Sequence, residues 1–413
     1  SGSTRYPSGI LITQEALLAN AHSVGTDALN FTANERVASW LPFYHDMGLV
    51  GCMLMAVTYQ FPVDYIHTDA FARRPLQWLQ LISDNKCTIA FSPSFGYEIC
   101  ARRAAGKEDL GLDLSSWRIA GIGGEMVQPE ALEAFSKAFG PYGFQKEAFI
   151  PSYGLAEATL AFSFNPLDRG LKIDYVDKQA LVKEGLARSV AQDQVISLNP
   201  HSLQNVGMPV TSTIDVRGFA SCGRVLSGYD VEIRSAEGEA LPHRHVGKVF
   251  IKGPSLMAGY YKDEDATNRV FDGEGWMDTG DMGYMADGEL YITGREKDLI
   301  IINGRNIWPQ DLEWHAENNV DVLRSRDTAA FTLQHDSGKE EAVILVQCRI
   351  RDEEKRASLR KAVHSAIMRG TGVDCRVELI PQRSLPFTTS GKLSRAKAKK
   401  DYVSGAINPS NIS

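Results

Sequence analysis

The sequence predicts an α/β fold in which a large domain of doubly wound sheets and a small antiparallel β subdomain precede a mobile α+β C-terminal domain. Short apolar strands alternate with amphipathic helices through the first part of the chain. Beyond residue 221, short strands are separated by Glu-Gly and Asp-Gly turns, which favour antiparallel pairing. A charged segment at 293–298 lies between two strands and suits a hinge. We therefore expect domains at 1–294, with the β subdomain at about 221–292, and at 295–413.

The alternation of apolar residues assigns each element in turn. In the large domain it predicts strands at 10–12, 37–41, 88–91 and 117–122 and helices at 14–23, 76–83 and 95–104. In the subdomain it predicts strands at 231–234, 247–251 and 289–292. In the last domain it predicts strands at 299–302, 341–347 and 375–379 and a helix at 352–368. The longest apolar run, 49–59, is too short to cross a bilayer and suits a buried helix.

Composition excludes several classes of protein. The 413 residues are 43% apolar, enough for two or three domains with cores of their own. The net charge of −7 and the lack of a long Lys/Arg tract argue against nucleic acid or an anionic membrane as the main partner. The six cysteines are scattered without C-x-x-C spacing, which implies neither disulfides nor structural zinc. We expect a cytoplasmic protein with no transmembrane segment.

The stretch Pro-Ser-Tyr-Gly-Leu-Ala-Glu-Ala-Thr at 151–159 carries the strongest functional signal. It follows an apolar run and precedes a helix-like segment. Tyr153 offers an aromatic ring, Gly154 permits close backbone approach, and Glu157 offers a carboxylate suited to a hard cation such as Mg²⁺. A nucleoside triphosphate needs these three features, although Tyr-Gly pairs also occur in many turns of α/β proteins that bind nothing.

A Gly-Gly-Glu stretch upstream adds a surface for a flat ring. Gly123, Gly124 and Glu125 follow a short buried strand, and the missing side chains would let a ring lie against the backbone. The dinucleotide fingerprint G-x-G-x-x-G fails here, because its last glycine would fall on Met126. A Rossmann dehydrogenase therefore becomes a remote alternative.

Two loops near the N-terminus offer further groups. Ser1, Gly2, Ser3 and Thr4 belong to a loop whose backbone N–H groups and hydroxyls can bind phosphate oxygens, although a flexible terminus has the same composition. His45 directly follows a predicted strand, where ligands of parallel sheets collect. It can contact a substrate carboxylate or gate its channel, and a hydrogen-bonded structural histidine is the equal alternative.

Two later positions complete the set of candidates. Asp281, in the turn predicted at 276–281, can accept hydrogen bonds from both hydroxyls of a ribose, or it can simply cap the turn. Lys392 is presented by a loop that contains a glycine, where an exposed lysine is most often only a solvated side chain.

In this order, the stretches resemble the adenylate-forming enzymes: acyl-CoA synthetases, adenylation domains of peptide synthetases, luciferases and fatty acyl-AMP ligases. The resemblance covers nearly the whole chain. It implies that ATP phosphates bind the loop from Ser1 to Thr4, that Gly123 to Glu125 line the adenine, and that Tyr153 stacks on it. It further implies the following roles: Glu157 holds Mg²⁺, Asp281 and Arg295 bind the ribose, Lys297 is the pivot of the C-terminal domain, and Lys392 bridges the substrate carboxylate and the α-phosphate.

Within this superfamily, the stretches at 41–49, 151–160 and 304–313 look most like those of fatty acyl-AMP ligases. That likeness implies activation of a medium- or long-chain fatty acid by ATP and Mg²⁺. Acyl transfer to the phosphopantetheine arm of an acyl carrier protein would follow, in a polyketide or lipopeptide pathway of lipid metabolism. The segment 160–222 looks longer than in CoA ligases, and the N-terminal portion of the family is expected to be absent. A fatty acyl-CoA synthetase and a non-catalytic acyl-nucleotide-binding module remain alternatives.

Overall fold

The chain folds into a large unit, Ser8–Thr293, and a C-terminal unit that begins at Gly294. The structure is a computed structural model that describes residues 8–107, 109–191, 216–302, 305–334, 340–388 and 392–408. The sequence-predicted mixed α/β class is confirmed. No helix in these described ranges is both long enough and apolar enough to span a membrane.

Fifteen strands and eight α-helices are described from Ser8 to the end of the last subdomain strand. The strands are β1 (Ile10–Leu11), β2 (Val37–Ser39), β3 (Val63–Tyr65), β4 (Ile89–Ser92), β5 (Ile119–Ile122), β6 (Phe149–Tyr153), β7 (Ser163–Phe164), β8 (Ile173–Asp177), β9 (Val216–Ala220), β10 (Arg224–Val225), β11 (Asp230–Arg234), β12 (Gly247–Lys252), β13 (Gly259–Tyr260), β14 (Met277–Ala286) and β15 (Glu289–Arg295). The helices are α1 (Gln14–His22), α2 (Met55–Tyr59), α3 (Thr68–Arg73), α4 (Leu76–Asn85), α5 (Ser94–Ala104), α6 (Pro129–Phe139), α7 (Lys178–Glu184) and α8 (Glu264–Val270).

A seven-stranded sheet forms the frame of the large unit, in the order β10-β7-β6-β5-β4-β2-β3. The strands from β6 to β3 in this order are parallel, and β7 and β10 join antiparallel at one edge. The chain leaves β2 towards β3 and then returns to β4 on the other side of β2, as a doubly wound sheet requires. Ligands of such sheets bind outside the carboxyl ends of the strands near this reversal.

Short polar caps and an aromatic core explain why these elements form where they do. Helix α1 begins after Thr13, whose hydroxyl accepts a hydrogen bond from the Ala16 backbone N–H at 3.0 Å. Beneath the parallel strands, Trp78, Tyr97 and Trp117 are fully buried, and each ring centroid lies 5.2–6.1 Å from the other two. Edge-to-face and stacked rings at such distances stabilise a core beyond the area that they bury.

The predicted β subdomain is a four-stranded sheet in the order β11-β12-β14-β15, antiparallel where β12 pairs with β11 and with β14. The predicted turn at 276–281 is wrong: residues 277–281 lie within β14, where a register shift against β12 forms an irregularity. Gly280 has φ +69° there, a backbone conformation that favours glycine. The subdomain thus presents this acidic stretch from a bulged strand.

The C-terminal unit has its own core and two further sheets. The described strands of this unit are β16 (Ile300–Ile302), β17 (Arg305–Ile307), β18 (Thr328–Gln334), β19 (Glu340–Cys348) and β20 (Cys375–Pro381), and its described helices are α9 (Pro309–Asn319), α10 (Glu353–Thr371) and α11 (Arg395–Val403). A three-stranded sheet has the order β18-β19-β20, and β16 pairs with β17. Buried apolar residues from helices and strands, among them Leu312, Ile344 and Val363, form one cluster.

The predicted buried helix in the apolar run at 49–59 is only partly right. Residues Met47–Leu54 are π-helical and continue into α2. Leu49, Met53 and Val57, which follow one another at four-residue spacing, are 39%, 42% and 69% exposed. Apolar side chains therefore face outward along one side of this helix, a pattern that occurs at binding surfaces more often than at random.

Candidate functional site

Three of the predicted site stretches, together with the first turn of α5, follow the carboxyl ends of neighbouring parallel strands. His45 comes after β2, and Phe95, in the first turn of α5, comes after β4. Gly123 comes directly after β5, and Tyr153 ends β6. Because β2, β4, β5 and β6 are adjacent and parallel, these residues lie along one edge of the sheet. That edge is where a doubly wound sheet binds its ligand.

The Gly-Gly-Glu stretch crosses from one strand end to the next. A Cβ added to Gly123 would lie 3.0 Å from the Ser152 hydroxyl oxygen, so this residue runs close beside β6. Gly124 has φ +83°, in the left-handed region that glycine adopts without strain. The Glu125 carboxylate accepts a hydrogen bond from the Phe95 backbone N–H at 3.1 Å. A carboxylate at the N-terminus of α5 is stabilised there by unpaired N–H groups, which fixes the loop.

Tyr153 and Asp281 are brought together although they are 128 residues apart in sequence. The Tyr153 hydroxyl donates a hydrogen bond to Asp281 Oδ2 at 2.7 Å, and both residues are buried. The Asp281 backbone N–H donates to the Thr279 hydroxyl at 3.1 Å, which holds the bulge of β14 in place. Because the bond joins the large sheet to the antiparallel subdomain, the predicted adenine and ribose positions form one local site.

Gly154 has an internal reason for being glycine. A Cβ at this position would lie 1.9 Å from the Leu160 carbonyl oxygen and 2.7 Å from Ala161 Cα. The chain doubles back at this point, and the Phe162 backbone N–H donates to the Tyr153 carbonyl at 2.8 Å. The helix-like segment expected after the motif is instead one 3₁₀ turn, Ala156–Ala158, because β7 follows and must pair with β6.

Thr159 closes the motif in a strained conformation. Its φ of +71° and ψ of −57° are unusual for a β-branched residue, and the Leu160 N–H donates to the Ala158 carbonyl at 2.9 Å to close a γ-turn. The Thr159 hydroxyl donates to the Ser255 carbonyl at 2.7 Å. Strain of this kind costs roughly 1–3 kcal/mol and persists only where the surroundings hold it.

Asn20 is part of what holds this turn. Its side-chain amide, 1% exposed, donates to the Ala161 carbonyl at 2.8 Å and to the Ser255 hydroxyl at 3.1 Å. The Ser255 hydroxyl donates in turn to the Ala158 carbonyl at 3.0 Å. Neither Asn20 nor Ser255 is among the site residues that the sequence predicts. The only sequence signal is the run Gly-Pro-Ser-Leu-Met-Ala-Gly-Tyr-Tyr at 253–261, whose glycines and proline mark a fixed loop.

Glu157, the predicted metal ligand, lies half-buried on the 3₁₀ turn. Its Oε1 accepts a hydrogen bond from the Tyr260 hydroxyl at 3.0 Å, and its backbone carbonyl accepts from the Met257 N–H at 2.7 Å. Within the described ranges, no group of three or more His, Cys, Asp or Glu side chains forms a metal cage. A single carboxylate suits Mg²⁺, which commonly binds one or two protein carboxylates together with substrate phosphates.

His45 is held by its own loop. Its Nδ1 lies 2.6 Å from Asp46 Oδ1, and the Met47 backbone N–H points to the same ring nitrogen at 3.2 Å. The π-helix that begins at Met47 runs past the stretch 151–159, here called the central motif, since a Cβ on Gly51 would lie 3.4 Å from a methyl group of Leu160, the next residue. His45 is therefore a hydrogen-bonded histidine beside the site.

The C-terminal unit holds the remaining described candidates. Arg295 and Lys297 are exposed at the end of β15 and in the 3₁₀ turn Glu296–Asp298. Lys392 is half-buried, and its backbone is paired with Thr388: the Lys392 N–H donates to the Thr388 hydroxyl at 3.0 Å and the Thr388 N–H donates to the Lys392 carbonyl at 2.7 Å. The predicted phosphate-loop residues Ser1, Gly2, Ser3 and Thr4 lie outside the described residues.

Arg395, which is not among the site residues that the sequence predicts, anchors the segment that follows Lys392. Its guanidinium makes two bonds to the Glu313 carboxylate, at 2.6 and 2.7 Å, and a third to Asp298 at 3.2 Å. A two-fold contact of this kind fixes both position and orientation. Within this unit, one side chain therefore connects the segment that follows Lys392 to the turn that contains Lys297.

The described parts of the expected insertion, 160–191 and 216–222, are docked on the β subdomain. Strand β8 pairs with β9, and Val176, Leu181 and Phe219 pack with the buried rings of Tyr284 and Tyr291. Beneath this contact lies a buried acid, Asp174, whose carboxylate accepts bonds from the Tyr284 hydroxyl and from Arg244, each at 2.8 Å. The segment is thus fixed by apolar packing and by a paired charge.

Comparison with known proteins gives consistent matches. A model of the AMP-binding enzyme family matches residues 1–261. A putative acyl-CoA synthetase of Caulobacter vibrioides is 47% identical over 405 residues, a match that covers 98% of this chain and 67% of the relative. JamA of Moorena producens, named a medium-chain-fatty-acid–[acyl-carrier-protein] ligase, is 33% identical over 98% of this chain and 67% of its own length.

A solved structure from work on fatty acyl-adenylate ligases of E. coli and L. pneumophila superposes with a TM-score of 0.87. The two sequences are 43% identical, and the match covers 98% of this chain and 69% of the chain of that structure. The chain thus spans about two thirds of the length of the relatives that it matches.

Proposed function

Because the chain belongs to the AMP-binding enzymes, the family of adenylate-forming ligases, we propose that it activates a fatty acid with ATP. A carboxylate oxygen of the fatty acid attacks the α-phosphorus of ATP. The bond between the α-phosphorus and the oxygen that bridges it to the β-phosphorus breaks, and pyrophosphate leaves with the electron pair of that bond. The product is an acyl adenylate. The observation that carries the proposal is the 2.7 Å bond from Tyr153 to Asp281, which joins the expected adenine and ribose positions.

Adenosine would be recognised by one edge of the large sheet. Gly123 and Gly124 offer bare backbone to the adenine, Tyr153 offers its ring, and Asp281 offers carboxylate oxygens to the ribose hydroxyls. Their common position at adjacent strand ends and on the bulge of β14 supports these roles. Arg295 is proposed as a second ribose contact and Lys297 as the pivot of the C-terminal domain, on the family resemblance alone.

Glu157 is proposed to hold Mg²⁺ together with the phosphates of ATP. The cation supplies neutralisation of the phosphate charge during transfer. The chain's own contribution is to hold this carboxylate in place. The Tyr260 hydroxyl bonds to the carboxylate, and the turn at Thr159 fixes the backbone that carries Glu157. Lys392 is proposed to stabilise the negative charge that develops between the carboxylate and the α-phosphate.

An apolar acyl chain is the substrate that the surroundings favour. The helix after His45 presents Leu49 and Met53 outward, and this helix runs beside Leu160 at the end of the central motif. The buried indole of Trp40 stacks on Phe71 with ring centroids 4.0 Å apart, which adds a rigid apolar surface after β2. The name of JamA, a medium-chain fatty acid ligase, supports the same class of substrate.

The screen that tests this activity compares acids of different classes. Pyrophosphate release is measured with the full chain, Mg²⁺·ATP and one acid at a time from a series of fatty acids, amino acids and aromatic acids. We expect release only with fatty acids. The variant Asp281→Asn, which keeps the size of the side chain but removes its charge, should raise KM for ATP more than KM for the fatty acid. A better rate with amino acids or aromatic acids would overturn the substrate class.

The acyl acceptor is proposed to be the phosphopantetheine thiol of an acyl carrier protein. The name of JamA, which specifies an acyl carrier protein, supports this acceptor. We further propose that the docked segment disfavours the arrangement of the chain that accepts CoA. A bias of ~3 kcal/mol against that arrangement would leave it below about one per cent populated. An acyl-CoA synthetase is the second candidate, because the relative from Caulobacter is named as one.

The acceptor test uses the anchor of the docked segment. Asp174→Ala removes the acid that binds Arg244 and Tyr284, whereas Glu184→Ala removes an acid that pairs with Arg188 in an exposed position on the same segment. We expect the parent and Glu184→Ala to acylate a carrier protein but not CoA, and Asp174→Ala to gain CoA acylation without loss of adenylation. Efficient CoA acylation by the parent would instead establish the synthetase.

A further inference from the structure

The run of residues 255–260, here called the brace, lies against the end of the central motif and hydrogen-bonds to residues 157–159. The Ser255 carbonyl accepts from the Thr159 hydroxyl at 2.7 Å, and the Ser255 hydroxyl donates to the Ala158 carbonyl at 3.0 Å. Further along, the Met257 N–H donates to the Glu157 carbonyl at 2.7 Å. The brace therefore fixes the backbone from Glu157 to Thr159.

Tyr260 ends the brace and is itself held from several directions. Its backbone N–H donates to the Thr267 hydroxyl at 2.9 Å, and strand β13, in which it lies, pairs antiparallel with β1 so that Tyr260 faces Ile10. The neighbouring Gly259 has φ +150° and lies so close to Thr267 that an added Cβ would be 3.0 Å from that side chain. The phenol is thus a donor whose position the backbone determines.

The hydrogen bond from this phenol engages only one of the two carboxylate oxygens. Oε1 of Glu157 accepts from the Tyr260 hydroxyl at 3.0 Å. Within the described ranges, Oε2 has no hydrogen-bond donor. A carboxylate anchored through one oxygen, and open at the other, is arranged to give a single oxygen to a cation in a fixed direction.

We propose that Tyr260 is a positioning residue that orients the Glu157 carboxylate for Mg²⁺. The inference rests on the proposed role of Glu157 in binding Mg²⁺·ATP. In this scheme Tyr260 touches neither the substrate nor the phosphates, and it acts on the metal through the Glu157 carboxylate. Outer partners of metal ligands contribute about 10–100-fold to metal affinity, which sets the size of the expected effect.

The test removes one hydroxyl group and uses the adjacent tyrosine as the control. Tyr260→Phe keeps the ring and loses the donor to Glu157. Tyr261→Phe makes the same chemical change at a side chain that is 57% exposed and lies against the ammonium group of Lys262. Both variants keep the brace backbone, so neither should alter the melting temperature by more than a few degrees.

Two measurements separate orientation of the carboxylate from a general structural role. In the first, the Mg²⁺ concentration for half-maximal pyrophosphate release is measured at saturating ATP and fatty acid. In the second, which needs no turnover, binding of Mn²⁺ to the complex with a non-hydrolysable ATP analogue is titrated by electron paramagnetic resonance, alongside calorimetric binding of AMP with chelator present. We expect Tyr260→Phe to raise both metal constants about 10–100-fold and to leave AMP affinity unchanged.

The outcomes distinguish this inference from the proposed function. If the parent binds Mn²⁺ with the nucleotide and Tyr260→Phe binds it equally well, the positioning role is wrong while the proposed function stands. Equal losses of metal and AMP affinity in Tyr260→Phe would show a structural role and also overturn the inference. If the parent shows no metal-dependent nucleotide binding at all, the proposed function and the inference fail together. Tyr261→Phe should match the parent throughout.

Discussion

Replacing Asn20 by leucine should destabilise the large unit and loosen the central motif with it. Leucine matches the size of the asparagine side chain but can make none of its hydrogen bonds. In the native chain the amide donates to the Ala161 carbonyl at 2.8 Å and to two hydroxyls, those of Ser255 at 3.1 Å and Tyr229 at 3.3 Å. Its oxygen also accepts from the Ala161 N–H at 3.4 Å.

The expected loss follows from the groups that the substitution leaves behind. The carbonyl and N–H of Ala161 would both lose their bonds to the amide in a site where Asn20 is 1% exposed. A buried polar group without a partner costs roughly 1–3 kcal/mol, and the Ser255 hydroxyl would lose one bond but keep its own donation to the Ala158 carbonyl. We therefore expect a loss of about 3 kcal/mol in the free energy of unfolding.

Urea unfolding measures this loss, with Gln14→Leu as the matched control. Gln14 is an exposed amide in the first turn of the same helix, so its replacement by leucine should change the free energy by less than about 0.5 kcal/mol. Affinity for AMP should fall in Asn20→Leu, because the γ-turn at Thr159 loses part of what holds it. A loss of stability equal to that of the control would refute the claim that Asn20 anchors this turn.

Three further predictions concern buried charge and the loop of Lys392. Burial raises the pKa of Glu35, but hydrogen bonds from Arg118, Thr88 and Thr32 outweigh the effect of burial and hold that pKa below 4.5. The stability that these hydrogen bonds give is therefore present above pH 4.5 and is lost as the pH falls through the lowered pKa. Arg118→Met should therefore destabilise strongly at pH 7 and less near pH 4, and equal losses in urea unfolding at both pH values would contradict this. Burial raises the pKa of Glu317 to about 8, so its contribution is complete below pH 4.5 and is lost as the pH rises through 8. Glu317→Gln should remove a slope of at most ~1.4 kcal/mol per pH unit from the unfolding free energy of the C-terminal unit, and parallel pH profiles would argue against it. Lys392→Ala should lower the rate of adenylation ~10²–10³-fold and leave acyl transfer from preformed acyl adenylate nearly intact. The control Lys397→Ala, at an exposed lysine of α11, should change neither step. Equal losses in both steps for Lys392→Ala would mean that Lys392 has a structural role.

The sequence predicted the frame of the large unit well, because apolar periodicity determines which face of each element is buried. The helix predicted at 14–23 is Gln14–His22, and the strand predicted at 88–91 is Ile89–Ser92. The position of Tyr153 close to a strand end could be predicted from the apolar run that ends at Ile150, and the structure continues β6 through Pro151 and Ser152 to Tyr153.

Contacts between distant stretches could not be predicted from local patterns. Tyr260 meets Glu157 across 103 residues, and Asn20 meets Ser255 across 235, with no spacing signal in the sequence. The sequence predicts a turn at 276–281, where Asp is a common capping residue, yet pairing with β12 draws residues 277–281 into a bulged strand. Tertiary pairing, which local propensity does not contain, decides such cases.

The helix after His45 shows a second limit of sequence reasoning. An apolar run predicts burial, but a run that is apolar on all sides does not show which side faces the core. In the structure Cys52 is buried while Leu49 and Met53 face outward. The outward residues are the ones that the proposed fatty acid substrate would need.

The central claim is that a fatty carboxylate becomes joined to the α-phosphorus of ATP, and oxygen-18 follows that bond directly. The chain is incubated with Mg²⁺·ATP, a fatty acid labelled in its carboxyl group, and hydroxylamine as the acyl acceptor. Because hydroxylamine attacks the carbonyl carbon, the carbon–oxygen bond breaks and the bridging oxygen stays with AMP. Mass spectrometry should find one labelled oxygen in AMP and the acyl group in a hydroxamate. Unlabelled AMP, ADP in its place, or AMP formed without fatty acid would contradict the account.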